Sequence, residues 1–114
     1  MDGKLKLLRF YVSNTDKIGR CALYQYIAQE AKKYGLAGAT VYKGIMGYGG
    51  SSNLVSDTFW MLTEKIPVVV DVVDEDVKID AFVDYIRPAI EASPKGCLIV
   101  AQDVSLVLQK KGGH

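Results

Sequence analysis

Residues 66–73 read Ile-Pro-Val-Val-Val-Asp-Val-Val and form the strongest β-strand signal in the chain. β-branched residues favour strands, and a nearly unbroken valine run predicts burial on both faces of a sheet. The residues that follow, Asp74, Glu75 and Asp76, suit the start of a helix. A carboxylate there can accept an unpaired backbone N–H and lies favourably in the field of the helix dipole. We therefore expect a buried strand that passes, through a cap at Asp74, directly into a helix.

The predicted helix carries one apolar stripe. Its apolar side chains recur at spacings of three and four, which places them on one helical face: Ile79, Phe82, Val83, Ile86 and Ile90. Pro88 interrupts this stretch, lacks a backbone N–H, and should kink the helix or split off its final turn. Residues 93–96, Ser-Pro-Lys-Gly, then predict a turn, and residues 97–108 predict a last strand.

A similar strand–helix unit precedes this one. Residues 4–13 predict a first strand, because apolar and polar residues alternate imperfectly in a stretch rich in leucine, aromatics and valine. Residues 20–34 predict a helix, and Gly35 should end it in the left-handed conformation. Its apolar face consists of Leu23, Tyr24, Ile27, Ala28, Ala31 and Tyr34. Residues 39–48 predict a second strand, and residues 58–62, Thr-Phe-Trp-Met-Leu, resume the strand pattern.

The predicted order is β-α-β-β-α-β, which indicates one α+β domain over residues 1–114. Two helices would cover one face of an antiparallel sheet, as in the ferredoxin-like βαββαβ sandwich. If the valine-rich strand is apolar on both sides, the second face of the sheet also needs a cover. We expect another copy of the protein to supply it.

Composition excludes several classes of function. Fourteen basic and thirteen acidic residues among 114 give a net charge of +1, which gives no support to nucleic-acid or anionic-lipid binding. No apolar run approaches the ~18 residues of a membrane-spanning helix. The first residues also lack the pattern of a signal peptide, so we expect a cytoplasmic protein that does not span a membrane.

Few side chains suit catalysis or metal binding. Cys21 and Cys97 lie 76 residues apart, and His114 is the one histidine. A Cys/His metal site, a Cys–His nucleophile and a Ser-His-Asp triad are therefore nearly excluded, and the cysteines are interpreted as small buried apolar residues. Carboxylates near the second helix are interpreted as caps or solvated groups: Asp71, Asp74, Glu75, Asp76, Asp80 and Asp84. Aromatic residues on predicted strands favour core or interface packing, because the RNA-recognition motif is absent: Phe10, Tyr11, Tyr42, Phe59 and Trp60.

Residues 44–52, Gly-Ile-Met-Gly-Tyr-Gly-Gly-Ser-Ser, allow two interpretations. Successive backbone N–H groups can form a concave anion-binding nest, with the hydroxyls of Ser51 and Ser52 as further donors. Alternatively, the glycines permit positive φ in a bulged hairpin. Spacing alone favours the hairpin, because no phosphate-binding glycine motif stands in its strand–turn–helix context.

The turn at residues 93–96 is by itself typical of a solvated connection. In a ferredoxin-like sheet the second and fourth strands do not adjoin, so the glycine-rich segment and this turn could meet across a subunit boundary. Lys110 and Lys111 could also reach a phosphate there, although lysines in a tail are usually solvated.

Residues 40–52, with residues 35–39 before them and residues 66–70 after them, resemble the PII-like proteins, distant relatives of the nitrogen-regulatory PII proteins. The resemblance runs from about Leu8 to Leu108. It implies a ferredoxin-like subunit, a compact homotrimer, and an adenine nucleotide (AMP, ADP or ATP) bound between subunits. Any metal would be nucleotide-bound Mg²⁺. The implied nucleotide-binding residues are Gly44, Met46, Gly47, Gly49, Gly50, Ser51 and Ser52, together with Lys95 and Gly96 of a neighbouring subunit.

The resemblance further implies a regulatory protein without catalytic residues. The loop at residues 50–57 would change shape with the ligand and contact a partner protein. The nitrogen-regulatory proteins have a lysine where Cys97 stands and arginines near residues 106–108, and a modified loop tyrosine has no counterpart here. Two alternatives remain at this point: a small enzyme acting on phosphorylated metabolites, and a metal-responsive trimer similar to the copper-tolerance proteins.

Overall fold

Apart from one short hairpin after the first strand, the described strands and helices follow the predicted β-α-β-β-α-β order. The computed structural model describes residues 4–47 and 66–113. Within them lie β1 (Leu5–Ser13), β2 (Lys17–Ile18), β3 (Cys21–Ala22), α1 (Leu23–Tyr34), β4 (Gly38–Lys43), β5 (Pro67–Glu75), α2 (Asp76–Ala92) and β6 (Leu98–Val104).

The main sheet is antiparallel, with the strand order β4-β5-β1-β6. β1 pairs with β5 along its whole length, from Leu5 opposite Glu75 to Ser13 opposite Pro67. β4 and β6 are therefore the two edges, and the second and fourth strands of the predicted βαββαβ order do not adjoin. Both helices pack against one face of this sheet, which confirms the predicted α+β, ferredoxin-like arrangement.

The core lies between this face and the helices. Val68, Val70 and Val72 of β5 are fully buried there, whereas the alternate residues Val69, Asp71 and Val73 are partly exposed on the opposite face. Within one chain only one face of β5 is covered, because the helices lie on one side of the sheet and successive side chains alternate between faces. The cover of the second face by another copy stays a prediction. The predicted stripe of α2 is buried, with Val83 at its margin.

Asp74 does not cap α2, contrary to the prediction. Glu75 is the N-cap residue, and it makes no side-chain capping hydrogen bond. The Asp74 carboxylate instead accepts the N–H of Glu75 (2.7 Å) and the N–H of Ala37 (2.9 Å), while Lys78 Nζ lies 3.8 Å away. This buried carboxylate therefore ties the connection between α1 and β4 to the end of β5.

Several predicted boundaries are also wrong. α1 begins at Leu23, after the short hairpin β2–β3, which follows Asp16 and had no periodic signal. β4 ends at Lys43, and β6 spans Leu98–Val104 within the predicted 97–108. α2 runs unbroken through Pro88 to Ala92, so Pro88 does not split off a final turn.

Gly35 ends α1 as predicted. Its φ is 90°, in the left-handed region. Its N–H donates to Lys32 O (3.1 Å), and the N–H of Leu36 donates to Ala31 O (3.0 Å), so the last carbonyls of the helix are satisfied. Lys78 Nζ donates a further hydrogen bond to Gly35 O (2.7 Å), which joins this cap to α2.

Gly35→Ala should lower the free energy of unfolding by about 1 kcal/mol, because alanine disfavours a positive φ. Steric crowding is not the cause, since a Cβ there would meet only Lys78 Nζ, at 3.8 Å. Urea unfolding measures the change. Gly38→Ala is the matched control, because Gly38 has no positive φ and a Cβ there has open space around it. An equal loss of stability in both variants would contradict this account of the cap.

Candidate functional site

The glycine-rich segment begins against Pro67, the first residue of β5. Gly44 N–H donates to Pro67 O (2.8 Å), and a Cβ on Gly44 would lie 3.0 Å from Pro67 Cγ. At Gly47 the corresponding Cβ would lie 3.8 Å from the same atom. Neither glycine has a positive φ, so that part of the hairpin interpretation is wrong for these two positions. Gly44 is explained by the close approach of Pro67, and its N–H is already engaged.

Asn14, in the turn after β1, holds the residue that leads into β5. Its side-chain Oδ1 accepts the N–H of Ile66 (2.7 Å), and its own N–H donates to Ile66 O (2.9 Å). Asp16 closes the same turn by accepting the N–H of Ser13 (2.9 Å), while its carbonyl accepts the N–H of Leu23 (2.8 Å). This segment therefore joins β1, α1 and the start of β5.

The second turn, residues 93–96, lies before β6. Ser93 N–H donates to Ile90 O (3.1 Å), and Lys95 N–H donates to Ser93 Oγ (3.3 Å). Because β4 ends and β6 begins at the same end of an antiparallel sheet, this turn and residues 44–47 lie at one end of the subunit. They stand at opposite edges, three strand spacings or roughly 14 Å apart.

The structure describes five of the residues that the resemblance implied for nucleotide binding: Gly44, Met46, Gly47, Lys95 and Gly96. Met46 is 47 % exposed, and its neighbour Ile45 is 84 % exposed. The other four, Gly49, Gly50, Ser51 and Ser52, lie outside the described residues. The loop at 50–57, the predicted strand at 58–62 and the aromatic candidates Phe59 and Trp60 lie outside them as well. The five described residues share one end of the fold, but Lys95 and Gly96 are not brought beside the glycines within the chain.

An ion pair that sequence analysis missed lies on the sheet face opposite the helices. Arg9 Nε lies 2.7 Å from Asp71 Oδ1, and Arg9 Nη2 lies 2.9 Å from Oδ2, so the pair is bidentate. Tyr42 OH donates to the same Oδ2 (3.0 Å). These hydrogen bonds, with Arg9 as the larger cause, lower the pKa of the Asp71 carboxyl against the opposing effect of burial. The signal in the sequence was the single acid inside the valine run, directly opposite Arg9 in the register.

Apolar side chains surround this ion pair on the same face. Tyr11, Tyr42, Leu98 and Val100 are all at least 40 % exposed. Leu98 and Val100 lie opposite Tyr11 and Arg9 in the register of β1 and β6, which places them on that face. Within residues 4–47 and 66–113, both helices lie on the other side, so no described helix covers this face.

The cysteines and carboxylates offer little chemistry in the described part of the chain. Both cysteines are free and partly buried, and burial raises the pKa of the Cys97 thiol to about 11. The described residues contain no group of three His, Cys, Asp or Glu side chains placed to hold a metal ion. Neither helix described here has the length and apolar character needed to cross a membrane.

Comparison with solved structures identifies the class of fold. The chain superposes on CPII, a nitrogen regulatory PII-like protein from Thiomonas intermedia K12 whose structure contains ADP, AMP and bicarbonate. The TM-score is 0.60 and the sequence identity is 14 %, and the match covers 90 % of this chain and 89 % of that chain. A putative PII-like signaling protein from Thermus thermophilus gives a TM-score of 0.59 and 16 % identity over 91 % of each chain. The fold is therefore PII-like and ferredoxin-type.

Sequence comparison identifies the family. The family DUF190, described as "Uncharacterized ACR, COG1993", matches residues 5–106, and the chain belongs to this family. A UPF0166 protein from Aquifex aeolicus is 34 % identical over 104 residues, which cover 91 % of this chain and 94 % of that protein. A UPF0166 protein from Methanocaldococcus jannaschii is 38 % identical over 77 residues, 68 % of this chain and 70 % of that protein. The resemblance to a PII-like group is confirmed.

The Arg9–Asp71 pair should make the stability of the fold depend on pH in the acidic range. The pKa of Asp71 is lowered in the folded chain, so the pair stabilises the fold above the unfolded pKa, and that contribution is lost as the pH falls through the folded pKa. We expect the melting temperature to fall more steeply below about pH 4 in the wild type than in Asp71→Asn. Asp84→Asn is the control, because Asp84 is exposed and carries no ion pair in the described chain. Parallel melting curves for wild type and Asp71→Asn would contradict the assignment.

Proposed function

We propose that the protein is a non-enzymatic PII-like regulator, a homotrimer that binds an adenine nucleotide between subunits and signals through the segment joining β4 and β5. The observation that carries this proposal is the separation of the two candidate phosphate-contacting elements. Residues 44–47 and the turn at 93–96 share one end of the subunit but lie on opposite edges of its sheet.

A single phosphate cannot contact both elements of one chain. Hydrogen bonds to phosphate oxygens span about 3 Å, whereas three strand spacings are roughly 14 Å. A neighbouring copy that brings its own Lys95 and Gly96 against the glycine-rich segment would complete the site. The proposed contacts of the segment are backbone N–H groups and the hydroxyls of Ser51 and Ser52, and an ordering of residues 50–57 by the ligand would be the signal to a partner.

Two further observations support this proposal. CPII, which shares the fold, is bound to ADP, AMP and bicarbonate, and an adenine nucleotide is therefore the ligand class we propose here. The proposed contacts are glycines, serines, a methionine and a lysine, and none is a histidine or carboxylate that would serve as an ordinary general base. We therefore propose sensing, not turnover, as the role of the site.

Light scattering in solution should give the mass of a trimer. The sheet face around Tyr11, Leu98 and Val100 is apolar, and burying such surface contributes about 25 cal/mol per Å². Because this contribution is not electrostatic, moderate salt should leave the trimer intact. A monomer mass would remove both the interface and the intersubunit site.

Calorimetric titration with AMP, ADP and ATP, with and without Mg²⁺, tests nucleotide binding. Lys95→Ala should weaken the affinity by about tenfold or more, because a charge-assisted hydrogen bond to phosphate is lost. Lys32→Ala is the matched control: Lys32 is also exposed and without an ion pair in the described chain, but lies on α1 away from both turns. The absence of heat with every nucleotide would reject the proposed function.

A further inference from the structure

Four cations of the described chain lie at one end of the sheet. Lys17 and Arg20 lie in the hairpin β2–β3 and its turn, Lys43 is the last residue of β4, and Lys95 lies just before β6. In this antiparallel sheet β1 and β4 end where β5 and β6 begin, so all four side chains belong to the end that carries residues 44–47. We call these four side chains the cationic end. The net charge of +1 gives no indication of this grouping.

Outside the cationic end, four described cations also have no ion pair in the described chain, namely Lys4, Lys32, Lys110 and Lys111, whereas the other five are paired. Their ion pairs are Lys6–Asp80, Arg9–Asp71, Lys33–Glu30, Lys78–Asp74 and Arg87–Glu91. None of the four side chains of the cationic end has an ion pair within residues 4–47 and 66–113, and all four are exposed. Like charges gathered without partners repel one another and do not help the fold, so their grouping points to an external anion.

The carboxylates near the cationic end are already engaged. Asp16 is only 7 % exposed and accepts the N–H of Ser13, and Glu91, in the last turn of α2, pairs with Arg87. At the opposite end, Asp80 near the start of α2 and Asp103 near the end of β6 are exposed, and Asp80 pairs with Lys6. The described part of the cationic end therefore offers no free carboxylate to neutralise its cations.

Exposed apolar side chains accompany these cations. Ile45 and Met46, 84 % and 47 % exposed, come two and three residues after Lys43. Apolar anchors beside a charged rim are the anatomy of a protein–protein interface. The cations span the three strand spacings between β4 and β6. They could therefore pair with separate carboxylates on the surface of a folded partner.

From this placement we propose that the cationic end docks an acidic surface of a partner protein, with Lys17 and Arg20 of the β2–β3 hairpin as central contacts. The proposal deepens the proposed function by giving the chemical class of the regulated partner, and it rests on that function for the role of the partner. Lys17 and Arg20 lie outside the proposed nucleotide contacts, so the two can be tested apart. A cyclic trimer would repeat the cationic end three times and strengthen the attraction to an acidic partner.

A fluorescently labelled poly-L-glutamate peptide is the probe, and its binding to the full chain is followed by anisotropy. We expect binding at low salt that weakens as salt is added. The double variant Lys17→Glu with Arg20→Glu should weaken it by about tenfold or more, since two central contacts become repulsive. The control is Lys4→Glu with Lys32→Glu, which makes the same change in net charge at two other exposed cations without ion pairs in the described chain.

Each outcome decides the proposal. An equal loss of peptide binding in the control variant would mean that net charge alone attracts the peptide, and this would overturn the proposal. The absence of peptide binding at low salt would overturn it as well. Stronger binding to phosphatidylserine vesicles than to poly-L-glutamate, lost in the same variant, would assign the surface to lipid and also overturn it. If circular dichroism shows that the glutamate variant does not fold, Lys17→Gln with Arg20→Gln replaces it, and unchanged binding in that variant overturns the proposal.

Calorimetry with ATP on the same proteins separates this inference from the proposed function. Nucleotide affinity that is kept in the hairpin variant while peptide binding is lost supports the docking surface. A wild-type chain that binds the peptide but no nucleotide would reject the proposed function and leave the docking surface standing.

Discussion

Val68, Val70 and Val72 of β5 are buried beneath both helices, and the rest of the chain is arranged around this contact. Because side chains alternate along a strand, burying these three turns Val69 and Asp71 to the opposite face. A shift of one residue would exchange the two sets and place Asp71 in the core. The pairing of β5 with β1 is therefore strongly specified, and Arg9 is placed opposite Asp71 by the same register.

The central position of β1 and β5 also determines how a binding site can be assembled. Their neighbours, β4 and β6, become the two edges, and the turns associated with those edges lie at one end but far apart. The turn that follows the central strand β1 lies between these two edge turns. Its residues Asn14 and Asp16 form hydrogen bonds with Ile66, Ser13 and Leu23. A ligand that contacted both edge turns would therefore need a second copy of the chain, as in the proposed site.

The sequence was most informative where one local interaction decides the structure. Gly35 could be predicted to end α1, because a left-handed residue at a helix C-terminus favours glycine whatever packs around it. The stripe of α2 was equally readable, since its spacing alone defines a face. Asp74 was misassigned because its true partner, the N–H of Ala37, is distant in sequence and is brought near only by the fold.

The remaining errors share a related physical cause. The hairpin β2–β3 has strands of two residues, too short for any hydrophobic period to appear. Residues 106–108 are apolar and strand-like, but β6 ends at Val104, where its pairing with Leu5 at the start of β1 ends. For the candidate site, the sequence indicated the glycine-rich segment and the second turn with Lys95, but not the nearby cations Lys17, Arg20 and Lys43. Each cation is isolated in the sequence, and only the antiparallel order gathers them.

The Arg9–Asp71 pair bears on whether its sheet face can be covered at all. Burying an unpaired charge is prohibitive, and even a paired one costs several kcal/mol per ion unless the remaining lone pairs are satisfied. Here the guanidinium is bidentate, and Tyr42 OH donates a third hydrogen bond to the carboxylate. The charges are thus matched within the chain before any partner arrives, so a covering copy would need no carboxylate of its own and could place apolar surface against Tyr11, Leu98 and Val100. An isolated arginine in the same place would instead have required a carboxylate from the partner.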